Sequence, residues 1–164
     1  MSACFYLSYF SFCPKQLLVN FIVTKGEWKM NIVLWILQVL LAIAFLMAGV
    51  LKLTQPLDQL GQMMAWVNDS PALLVRFIGL SELLGALGLI LPAATRIKPI
   101  LTPIAAACLA LVMILAALTH IVRGEFVEMV PSVVLLILAA FVAYGRFKLI
   151  PIAEKGQGGD PAPA

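Results

Sequence analysis

Glu82 is the residue with the most chemistry to offer. It lies in the apolar stretch 71–91, roughly 16 Å along a helix from Pro71 at about 1.5 Å per residue, and so near the middle of a bilayer core about 30 Å thick. A bare carboxylate at that depth costs around 3 kcal/mol on insertion scales, so it must be protonated or paired with a cation such as Lys52, Arg76 or His120. Arg76 lies six residues earlier, about 120° around the helix, which favours a partner from another helix. Two roles are open to Glu82: a carboxylate that exchanges protons or hydrogen-bonds a ligand, and a polar staple between helices. His120, with an ordinary pKa of about 6.5, is a candidate for hydrogen-bonding a quinone or relaying a proton. The plainer reading of His120 is an interfacial residue, and of Lys52, Arg76 and Arg123, snorkelling anchors. No haem-ligand pair, phosphate loop, nucleophile with base or metal signature lies on any apolar stretch, so no metal is expected and any redox cofactor is diffusible or a partner's. Cys4, Cys13 and Cys108 show no paired spacing; neither a disulfide framework nor a thiol centre is expected.

The elements that must position these groups are membrane helices. Of the 164 residues, 63% are hydrophobic and 12% charged, far from a soluble domain. Four apolar runs of about 20 residues use up most of the chain, which predicts an all-α integral membrane four-helix bundle with spans at about 31–53, 71–91, 100–122 and 126–147. Residues 1–29 do not match this pattern and read as an N-terminal extension, with Met30 the expected start of the protein. Between the first two spans, Leu57, Leu60, Met64 and Val67 recur at helical spacing opposite Asp58, Gln59 and Gln62, the pattern of a short interfacial helix. Asn68-Asp69-Ser70-Pro71 supplies a cap and a first-turn proline for the second span, which should stop before Pro92. Small residues surround Glu82: Gly79, Ser81, Gly85 and Gly88 on its own helix, with Gly49 on the first, a composition suited to close helix packing. Residues 151–164 are Gly/Pro-rich and read as a disordered tail.

Four spans put Lys15, Lys25, Lys29, Arg96, Lys98, Arg146, Lys148 and Lys155 on one side and Lys52, Arg76 and Arg123 on the other. By the positive-inside rule both ends are cytoplasmic. The ionisable groups at or within the membrane then gather in its outer half. The basic residues lie at helix ends and form no cluster, so nucleic acid is not an expected partner.

Phe45, Ala48, Gly49, Lys52 and Leu53, followed by Gly79-x-x-Glu82-Leu83-x-Gly85-Ala86-Leu87-Gly88, resemble the DoxX-like family of small four-helix membrane proteins. Thr119-His120 and Gly124-Glu125 are similar to that family as well, and the resemblance spans about Met30 to Ile150. The family takes its name from a subunit of a thiosulfate-oxidising, quinone-reducing membrane complex. The resemblance implies a bacterial plasma-membrane protein and a polar site of Lys52, Glu82 and His120, with Arg76 as an addition. Nothing in the chain resembles a thiosulfate site. Two functions compete: a quinone-facing accessory subunit of a membrane oxidoreductase, working with redox partner subunits, and a non-catalytic scaffold whose Gly/Ala faces bind other helices or a second copy. A small transporter or proton pathway is the weaker third reading, because there are no inverted repeats or broken spans.

Overall fold

The computed structural model describes residues 14–155, with side chains from Trp28 onward. Among these residues the chain is entirely helical apart from its connections: α1 (Pro14–Thr54), α2 (Leu57–Met63), α3 (Ala72–Thr95), α4 (Leu101–Arg123) and α5 (Phe126–Tyr144). Trp28–Thr54, α3, α4 and Phe126–Leu149 are each long and apolar enough to cross a membrane. The four pack in a ring, α1 on α3, α3 on α4, α4 on α5, and α5 back on α1. The core is a seam of Leu34, Leu41, Phe45, Leu89, Leu109 and Val142, while Leu73, Phe77, Val122 and Val127 are among the many large apolar residues facing outward. That surface suits lipid, where an apolar exterior carries no penalty.

Several boundaries differ from those read in the sequence. The helical backbone of α1 begins at Pro14, well before residue 31, so the expected extension is not set off from the first span by a break; its residues 1–13 lie outside those described. Helix α3 passes through Pro92 and ends at Thr95, where Arg96 adopts a left-handed conformation and its N–H bonds the Pro92 carbonyl. Proline forfeits one backbone bond, whereas stopping a helix inside an apolar environment would strand several carbonyls. The cap expected at 68–71 is not used as such. Ser70 Oγ donates instead to the Trp66 carbonyl, and Asn68 Nδ2 to the Gly61 carbonyl. The segment after α1 has the predicted apolar face, but it breaks at Met64 into α2 and a 3₁₀ turn, Ala65–Asp69. Leu60 and Val67 are buried against Val75 of α3, so this segment caps the bundle as well as edging it. Helix α5 finishes in a π-helical turn, Gly145–Leu149. Beyond it the chain runs along the bundle end to Lys155, whose N–H bonds the Arg96 carbonyl at 3.1 Å; residues 156–164 of the expected tail lie outside those described.

Candidate functional site

The site begins with a close crossing of α1 and α3. A Cβ on Gly49 would come within 2.7 Å of the Gly79 carbonyl oxygen, and one on Gly79 within 2.8 Å of Lys52 Cβ. With no side chains there, the two backbones touch. Further along α3, Gly85 packs under Leu109 and Gly88 against Ala105, both on α4. Ser81 makes no such notch; its hydroxyl donates to the Phe77 carbonyl in its own helix.

One turn beyond Gly49, Lys52 Nζ donates to both oxygens of Glu82, at 2.8 and 2.7 Å. Both side chains are buried, 8% and 3% exposed. The pairing follows from helix direction. Gly49 faces Gly79 across antiparallel helices, so Lys52 lies level with Arg76, and Glu82 is about 9 Å deeper along the axis. Helical side chains lean toward their own N-terminus. Lys52 therefore leans into the bundle and Glu82 leans out of it, and the two meet. Lys52 does not snorkel. Of the three cations considered for Glu82, the structure brings up this one.

Arg76 serves the same crossing in another way. Its Nη1 donates to the Lys52 carbonyl and its Nη2 to the Gln55 carbonyl at 2.9 Å, taking up acceptors that the end of α1 leaves unpaired. His120 belongs to a separate cluster. Glu125, at the start of α5, accepts from His120 Nδ1 at 3.0 Å and from Arg123 Nε at 2.7 Å. Arg123 Nη1 also reaches Asp69 in the 3₁₀ turn. The hydrogen bonds from Arg123 and then His120 hold the Glu125 carboxyl below the ordinary value of 4.5. Gly124, at φ 72°, closes α4 so that the Glu125 N–H can bond the His120 carbonyl at 2.9 Å. The cluster is thus a clasp joining α4, α5 and the 3₁₀ turn.

Beside the clasp opens a cleft of about 450 Å³, lined by the apolar Leu115, Leu118 and Val122 and by Trp66, Asp69, Ser70, Thr119 and Arg123. Lys52, Glu82 and His120 do not line it. Across the α3–α4 pair, Gly85 and Gly88 facing Leu109 and Ala105 set Glu82 level with residue 112, about 12 Å short of His120. The resemblance-derived site is therefore two clusters: a closed ion pair in the bundle and a clasp at its end. The cleft was missed in the sequence because Ser70 reads there as part of a helix cap, Thr119 as part of the family resemblance, and Trp66 carries no motif; only folding brings them together.

At the opposite end a third polar cluster joins Asn31 and Gln38 of α1 to Arg146 of the π turn. In the sequence Gln38 stands as a lone polar residue within the first apolar run, and Arg146 counts as one more basic charge. Their signal was the spacing of Asn31, Trp35 and Gln38, which share one face of α1.

Four membrane-length apolar helices closed around a buried ion pair define a small multi-pass membrane protein. The chain belongs to the DoxX-like family, whose model matches residues 36–142 and so includes Lys52, Arg76, Glu82 and His120. No curated protein and no solved structure matches it.

Proposed function

We propose that the protein is a quinone-facing accessory subunit of a bacterial plasma-membrane oxidoreductase system, and that the cleft beside the His120–Glu125–Arg123 clasp receives the quinone headgroup. The observation that carries this reading is the cleft's mixed lining, in which Leu115, Leu118 and Val122 stand beside the hydrogen-bonding side chains of Ser70, Thr119 and Arg123, which suits an amphipathic ring with hydrogen-bonding oxygens. Lys52 and Glu82 are positioning residues here, fixing α1 on α3. Electron transfer rests with partner subunits.

The orientation goes with this reading. Lys52, Arg76 and Arg123 are all engaged, with Glu82, with backbone carbonyls, and with Asp69 and Glu125. Arg96, Lys98, Lys148 and Lys155 at the other end are exposed. Free positive charge thus collects at the end carrying the C-terminal segment, which supports a cytoplasmic placement of that end and an outward-facing cleft.

A scaffold function is the second reading, favoured by the saturation of Glu82: both its oxygens are occupied by Lys52, leaving little for a ligand. Native mass spectrometry of the detergent-extracted chain separates the two. Quinone bound to the wild type, lost from Thr119→Phe and kept by Glu82→Gln supports the quinone-facing subunit. A wild type carrying only lipid and polypeptide partners favours the scaffold.

A further inference from the structure

Arg146 is 3% exposed, yet its guanidinium meets only neutral groups. Nε donates to Gln38 Oε1 and Nη1 to Asn31 Oδ1, each at 2.7 Å, with a long contact of 3.5 Å from Nη1 to the Ile150 carbonyl. The Trp35 ring lies 5.6 Å away, against the face of the charge. Gln38 is fixed in this orientation because its amide nitrogen donates to the Leu89 carbonyl at 2.8 Å. Among the described side chains no carboxylate pairs with Arg146, although Lys52 and Arg123 both have one. Nη2 is buried with no partner among the described residues. Among the described residues one other buried polar side-chain atom shares that condition, Thr102 Oγ1, in the first turn of α4. The π turn that carries Arg146 packs against α4.

A buried cation without a counter-charge is costly, and a guanidinium edge without an acceptor adds to the cost. Both are relieved by one anion with several oxygens. We propose that Arg146, with Thr102, forms a binding site for a phosphate group at this end of the bundle, supplied by a membrane phospholipid or by a soluble phosphate. Guanidinium matches phosphate geometry in a two-pronged fashion, and Thr102, on the helix against which the π turn packs, adds a hydroxyl donor. The exposed Lys98 and Lys148 lie at the same end and favour an anion's approach. The chain from Ile150 to Lys155 crosses this end, and its backbone hydrogen bond to the α3–α4 turn is the one from Lys155 to Arg96, so displacing it opens a route. Asn31, Trp35 and Arg146 fall outside the 36–142 stretch matched by the family model, whereas Gln38 and Thr102 lie inside it.

The test uses the full chain in detergent micelles, with thermal unfolding and native mass spectrometry read together. Three probes are added: dioleoylphosphatidylglycerol, inorganic phosphate, and dioleoylglycerol, which lacks the phosphate. The wild type is expected to gain several degrees in Tm with a phosphate-bearing probe and nothing with dioleoylglycerol. A response to the lipid alone identifies the headgroup as the source, and a response to both identifies free phosphate as sufficient. Arg146→Gln abolishes the response, and Thr102→Val weakens apparent binding about tenfold, the loss of one hydrogen bond to a charged group. Should Arg146→Gln fail to fold, Thr102→Val carries the test. No response to either phosphate-bearing probe, or an unchanged response in Thr102→Val and Arg146→Gln, overturns the proposal. So does a Glu27→Gln variant that destabilises the wild type but not Arg146→Gln, because Glu27 lies one helical turn before Asn31 and would then be the counter-charge.

Discussion

Replacing Glu82 by glutamine tests the reasoning about the bundle most directly. The change keeps shape and volume but removes the charge that both 2.7–2.8 Å bonds from Lys52 depend on. The Lys52 ammonium, 8% exposed at the side chain, is left buried with a weaker acceptor. Breaking a buried ion pair from one side typically costs about 3–5 kcal/mol. Hydrogen bonds measured inside membrane bundles run lower, about 1 kcal/mol, so the loss should fall near the bottom of the ion-pair range, about 3 kcal/mol. Lys52→Met should cost a similar amount. The double variant Lys52→Met/Glu82→Leu strands no charge and should recover most of that loss, since apolar replacements of buried pairs are often neutral or better. Unfolding by SDS titration in mixed micelles measures all three and yields the coupling energy. Single losses within about 0.5 kcal/mol of wild type, or a double variant as unstable as the sum of the two, would refute the account of a closed pair locking α1 to α3.

Gly49→Val should destabilise by about 1–3 kcal/mol and loosen the α1–α3 crossing, because a Cβ there meets the Gly79 backbone at 2.7 Å; the same unfolding titration detects it. Arg76→Gln should cost about 1–2 kcal/mol and speed amide exchange around Lys52 to Gln55, since it removes the guanidinium that bonds the Lys52 carbonyl in α1 and the Gln55 carbonyl just past it. The clasp should fail in acid. The Glu125 carboxyl has a lower pKa folded than unfolded, so its contribution is complete above the ordinary 4.5 and is lost as pH falls through the folded value. Thermal stability followed from pH 6 to pH 3 should therefore drop more in the wild type than in Glu125→Gln.

The spans were legible because apolar runs of membrane length are hard to make for any other reason, and α4 lies within a residue of its expected bounds. Local punctuation misled where the surroundings outweighed it. Pro92 is a stop signal in water, but in an apolar setting the continuing helix keeps more backbone bonds than a break would. For Glu82 the sequence narrowed the partner to three cations, and Lys52 emerges only once the direction of both helices is known. Arg146 was hidden for the opposite reason: at the end of a span, a basic residue looks like any other anchor until its neighbours show it buried.

The opposed lean of Lys52 and Glu82 also bears on how the chain enters a bilayer as it is made. Lys52 precedes Glu82 by 30 residues. It stands at the end of α1, where an ammonium can wait among headgroups and water without cost to insertion. When α3 follows, its carboxylate arrives with a counter-ion already at hand, and the antiparallel approach that joins them is the one the glycines permit. The more deeply placed charge is thus the later to emerge, and α3 never has to cross alone with an unanswered acid.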